Sequence, residues 1–122
     1  MLIHGYPQSG YEWHAVAADL ARDHRAVVPD YRGAAGSDAP GSGYDKITMA
    51  RDLRAVLEDA DAGTAHVVGH DIGAMVAYAY ARQFQPATAT LTLMDGIVPG
   101  TQLFTKLMSS LGPWHFGFPQ PG

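Results

Sequence analysis

The segment Val67-Val68-Gly69-His70-Asp71-Ile72-Gly73-Ala74 could do chemistry: an apolar run breaks at a small residue, presents the Asp71 carboxylate, and passes two positions later into small residues that open a helix. A side chain at such a strand-to-helix turn is pushed out of the path of the chain, and Gly69 and Gly73 leave the bend free of Cβ atoms two positions before and after it. This is the pattern of a nucleophile elbow, with aspartate where serine is commonest. The carboxylate lies at the positive end of the following helix, which favours its anionic, nucleophilic form. Taken by itself, the same turn reads as an ordinary N-cap, because aspartate is a preferred cap.

A second feature accompanies it. Leu2-Ile3-His4-Gly5-Tyr6-Pro7 ends another apolar run in a tight loop. A backbone N–H near Tyr6 and the N–H of Ile72 can converge on one oxygen that gains charge during a reaction, which makes an oxyanion hole.

Such convergence needs elements that bring strand ends together. Residues 11–22 carry Trp13, Val16, Ala17, Leu20 and Ala21 at helical spacing, predicting a helix with one buried stripe. Residues 25–29, with Ala26-Val27-Val28 at the centre, predict a short buried strand, and residues 30–43 a loop with four glycines. A helix follows over 48–60, with Met49, Leu53, Val56 and Leu57 on one face and Arg51, Asp52, Arg54 and Glu58 on the other. Residues 66–69 predict a strand, 72–84 an alanine-rich helix, and 88–94 another strand. Alternating strands and helices imply an α/β fold of parallel strands with right-handed crossovers, here four, near Leu2, Val27, Val67 and Leu91, with helices on both faces. Ligands are expected at the carboxyl ends of such strands. Gly5, Asp30, Asp71 and Asp95 all fall there.

These residues resemble the aspartate-nucleophile branch of the α/β-hydrolase superfamily, above all epoxide hydrolases, with fluoroacetate and haloalkane dehalogenases as relatives. The resemblance rests on His4-Gly5-Tyr6-Pro7-Gln8, Asp30-Tyr31-Arg32-Gly33-Ala34-Ala35-Gly36-Ser37-Asp38, the turn at Asp71, Leu93-Met94-Asp95 and Trp114-His115-Phe116-Gly117-Phe118. It implies a partial α/β-hydrolase fold whose Val67 strand lies between those near Leu2 and Leu91. It also implies that Asp71 attacks a substrate carbon to form an alkyl ester, which water activated by a histidine then hydrolyses. Asp95 takes the place of the acid that orients this histidine, or is a turn aspartate before Gly96. His115 takes the place of a hydrogen-bond donor to the epoxide oxygen or leaving halide, or packs in an aromatic cluster. Tyr6 and Ile72 would supply the oxyanion-hole N–H groups. Arg32 reads as structural, holding its loop through carboxylate or carbonyl contacts.

Departures narrow the substrate. Fluoroacetate dehalogenases usually carry arginines where this chain has Ile72 and Met75, and a tryptophan where it has Phe116. Haloalkane dehalogenases usually carry tryptophan at Ile72 and asparagine at Tyr6. Epoxide chemistry therefore leads, with a dehalogenase or a catalytically silent hydrolase-fold protein that binds a small ligand as alternatives. A flavodoxin-like binding domain lacks its glycine-rich phosphate loop here.

The 122 residues are 47% apolar with a net charge of −4, enough for one modest core. The scattered basic residues predict no nucleic-acid stripe and no polybasic membrane patch, and the resemblance implies a small-molecule substrate, an epoxide or similar electrophile, as the partner. There is no cysteine, and no metal-ligand spacing or cofactor motif is expected to operate. No apolar run reaches bilayer length, and a cytoplasmic location is expected. Residues 1–100 read as the hydrolase core and 101–122 as the start of a lid. Both ends read as cut, so that the water-activating histidine is expected outside this chain and turnover by the isolated chain is not.

Overall fold

A computed structural model describes residues 1–111. Three parallel strands form one sheet in the order β1 (Leu2–Ile3), β2 (Ala65–His70), β3 (Thr88–Met94). Leu2 lies opposite Val68, and Val67 opposite Leu91, so the Val67 strand is central as expected. The helices are α1 (His14–Leu20), α2 (Lys46–Asp59), α3 (Ile72–Gln83) and α4 (Gln102–Leu111), with 3₁₀ turns at Gly10–Trp13 and Gln85–Ala87. Among the described residues no helix is long and apolar enough to cross a membrane.

The core follows from strand alternation. Ile3 and Val67 point to one face of the sheet, where α2 contributes Met49, Ala50, Leu53 and Leu57 and α3 contributes Val76, Ala77 and Tyr80. The opposite face carries Leu2, Val68, Thr90 and Thr92, which line a groove of about 490 Å³ together with Leu20 of α1. The predicted helix 48–60 begins two residues earlier because the Asp45 side chain caps it, accepting from the Thr48 N–H at 2.8 Å.

Two expectations are corrected. Residues 25–29 form no strand: the backbone there supplies a single bond, Leu2 N–H to the Val27 carbonyl at 2.9 Å. A two-residue β1 offers too few groups for a second ladder, and Pro29 has no N–H to give. The stripe predicted over 11–22 is also only partly buried. Trp13 is buried, whereas Val16 and Leu20 are exposed, and the first turn is 3₁₀ rather than α.

The glycine-rich loop after residue 29 is held by charge. Arg32 donates to both oxygens of Asp52 on α2, at 2.6 and 2.8 Å, and to the Ser42 carbonyl at 3.1 Å. This two-pronged geometry is specific to a guanidinium. The turn at Gly43, with φ of 85°, brings its backbone against the guanidinium; a Cβ there would meet Arg32 Nη1 and crowd Thr48 Cγ2. Arg32→Lys is expected to speed limited proteolysis within residues 33–43 a few-fold, roughly, while leaving the far-UV circular dichroism unchanged.

Candidate active site

The site grows from the place where β2 turns into α3. Asp71 adopts φ 53° and ψ −119°, a conformation outside the left-handed helical well and disfavoured for any residue with a Cβ. Its N–H is anchored by the Met94 carbonyl at the end of β3, at 3.0 Å. The bend is possible because Gly69 and Gly73 pack backbone on backbone. A Cβ on Gly69 would stand 2.2 Å from the Gly73 carbonyl oxygen, and one on Gly73 would stand 2.4 Å from that of Ile3.

The Asp71 side chain makes no capping bond to α3. Instead its Oδ2 accepts the Tyr6 N–H at 3.0 Å, from the loop that follows β1. Gly5 permits this approach, since a Cβ on it would come within 2.9 Å of Asp71 Cβ. Ile72 is the first residue of α3, and an N–H at that position has no partner within its own helix. The two loops singled out in the sequence thus meet at one carboxylate.

Asp95 stands one residue beyond β3, beside Asp71 across the sheet end, because His70 pairs with Met94 in register. It is exposed and also has positive φ, at 47°. His115 lies outside the described residues. His4 is fully buried, its ring stacked on Tyr31 with centroids 4.0 Å apart and its Nε2 3.9 Å from Asp30. Asp30 accepts the N–H groups of Gly10, at 2.7 Å, and Gly36. The Gly10 bond above all holds its carboxyl below the ordinary carboxylate range.

Two residues near the carboxylate have no role that the sequence assigns. Tyr31 donates to the Gly5 carbonyl at 3.4 Å, and Glu12 accepts the Gly5 N–H at 2.9 Å. Burial, then the negative charges of Asp71 and Glu12, push the Tyr31 phenol up to about 12. An unfolded chain would release this proton near its ordinary value of 10.0, before the folded one does. The associated stability is therefore fully present below that pH and is lost as pH rises toward about 12. Titration followed by tyrosinate absorbance is expected to show one late phenol that Tyr31→Phe removes; an unchanged late step in that variant would assign it elsewhere.

Among the described residues no group of three His, Cys, Asp or Glu side chains is placed to hold a metal ion. Comparison with known proteins agrees with this architecture. The chain is 38% identical over 100 residues to a soluble epoxide hydrolase from Corynebacterium sp. (strain C12), covering 82% of this chain and 35% of that protein. It is 30% identical over 127 residues to a fluoroacetate dehalogenase from Burkholderia sp, covering 98% and 41%. The solved structure of the epoxide hydrolase CorEH superposes with a TM-score of 0.77 at 38% identity, covering 79% of this chain and 34% of that one. The chain therefore spans well under half the length of these relatives. A family model for the alpha/beta hydrolase fold matches residues 1–120, and the chain belongs to that family.

Proposed function

We propose that this chain carries the nucleophilic half of a hydrolase of the epoxide hydrolase type. The observation that supports this most directly is the Asp71 carboxylate, held at a strained strand-to-helix turn by the Tyr6 N–H rather than spent on capping α3. With Oδ2 fixed, Oδ1 is the attacking atom. It bonds to a ring carbon of the epoxide, the carbon–oxygen ring bond breaks, and the ring oxygen takes up a proton. Water then adds to the ester carbonyl carbon. The oxyanion develops on the oxygen that already accepts from Tyr6, with the Ile72 N–H as the second donor. Collapse releases the diol and restores Asp71.

In this reading Asp95 orients the histidine that activates the water, and that base belongs to the part of the relatives' length outside the matched segment. His115 donates to the ring oxygen, and residues 101–122, with α4, begin the lid. A carboxylate nucleophile suits attack at an sp³ carbon, because attack on an ordinary ester would yield a labile anhydride. Halide displacement is the second reading, favoured by the dehalogenase relative and opposed by Ile72 and Met75 where such enzymes usually place arginines.

The test is intact-mass measurement after incubation with styrene oxide, then peptide mapping. One adduct on Asp71 is expected. Folded protein with no adduct would put the ligand-binding alternative ahead, and an adduct from a haloacid but not from the epoxide would favour halide displacement.

A further inference from the structure

The carboxylate of Glu12 touches both turns that make the site. Its Oε2 accepts the Gly5 N–H at 2.9 Å, and its Oε1 faces His70 Nδ1. Gly5 immediately precedes Tyr6, the donor to Asp71 Oδ2, and His70 immediately precedes Asp71. The Glu12 and His70 side chains are only 20% and 31% exposed, so the contact is shielded from bulk water. Glu12 itself is held by the 3₁₀ turn Gly10–Trp13. Ser9 caps that turn through the Tyr11 N–H, and the buried Trp13 anchors its far end. The backbone β1–β2 ladder stops at Ile3 and Gly69, short of both Gly5 and His70, so it does not itself fix how the two turns face each other.

We propose that Glu12 is a positioning residue of the Asp71 site, bridging the Gly5–Tyr6 turn to the His70–Asp71 turn and so setting the alignment of the Tyr6 N–H on the Asp71 carboxylate. This rests on Asp71 being the nucleophile. A donor held by one arm of a bridge stays aligned only while the other arm is fixed, and a misplacement of about 1 Å in such a site costs up to about a hundredfold in rate. Glu12 touches no substrate in this scheme; it acts through the two turns.

Styrene oxide labelling of the full chain over a concentration series separates the limiting alkylation rate from the half-saturating concentration. Glu12→Asp keeps the charge but is one methylene too short to reach both turns. Its limiting rate is expected to fall about tenfold, with half-saturation moving less than about twofold. Glu12→Gln keeps a carbonyl oxygen for the Gly5 N–H and an amide for His70 in its acceptor tautomer, and is expected to stay within about threefold of the unsubstituted chain. His70→Ala removes the other end of the bridge and carries the same expected fall as Glu12→Asp, so the test does not hang on the folding of one variant. Far-UV circular dichroism and the urea midpoint establish which variants are folded. An unchanged limiting rate in folded Glu12→Asp or folded His70→Ala would overturn the bridge, and an equal loss in Glu12→Gln would replace it with a pure charge effect. Absence of any Asp71 adduct in the folded unsubstituted chain is a different failure, that of the nucleophile reading itself.

Discussion

Asp71→Asn is expected to leave the chain folded and to reduce adduct formation from styrene oxide by about a thousandfold or more. The amide is close to the carboxylate in shape, its carbonyl oxygen can still accept the Tyr6 N–H, and asparagine tolerates positive φ better than most residues. What it lacks is the anionic oxygen that attacks. Asp95→Asn should behave differently. Asp95 is exposed beside the site, and its proposed role passes through a histidine that acts on the ester after it has formed. Adduct formation in that variant is expected to stay within about twofold. Intact-mass kinetics on both variants make the comparison. An undiminished adduct in Asp71→Asn would move the nucleophile to another residue, and a large loss in Asp95→Asn would assign Asp95 to the first chemical step.

The site was legible in the sequence where its cause is local. Gly69 announces a bend because the backbone of Gly73 and Ala74, a few positions on, leaves no room for a Cβ, whereas Gly73 is crowded by the distant carbonyls of Ile3 and His4. The strand at 88–94 and the helix around Leu53 and Leu57 were equally legible, since alternation and helical spacing report on a single element. Arg32 holds its loop on Asp52 and the Ser42 carbonyl, the carboxylate and carbonyl contacts that its place in the Asp30–Asp38 run implies.

What the sequence did not carry is pairing between distant elements. Residues 25–29 have strand-like composition, but a strand exists only if a neighbour presents a ladder, and β1 presents two residues. Val16 and Leu20 have the spacing of a buried stripe, yet spacing cannot say whether anything lies against them. The roles of Glu12 and Tyr31 are hidden for the same reason. An acidic residue in a first helical turn and a tyrosine in a loop are both ordinary until folding sets them against Gly5, His70 and Asp71.

The second large effect concerns the bend itself, and it separates steric necessity from mere turn preference. Gly69→Ala is expected to destabilise the chain by about 3 kcal/mol, the upper part of the range for forcing atoms into a packed site. The new Cβ would lie 2.2 Å from the Gly73 carbonyl oxygen and 2.8 Å from Ala74 Cα, and both are backbone atoms that cannot swing aside as a side chain would. Relief requires the first turn of α3 to move away from β2, which also carries Asp71 away from the Tyr6 N–H. Gly73→Ala meets the same obstacle from the other side, against the carbonyl oxygens of Ile3 and His4. Gly63→Ala is the control, because a Cβ there meets nothing within 4 Å. At such an open position alanine is expected to be neutral or to stabilise by a few tenths of a kcal/mol, roughly, by reducing the freedom of the unfolded chain. Urea unfolding of the three variants reads the difference directly. If Gly69→Ala and Gly63→Ala unfold at the same midpoint, the turn at Asp71 is not enforced by backbone contact, and its strained conformation must be held by the Met94 and Tyr6 hydrogen bonds alone.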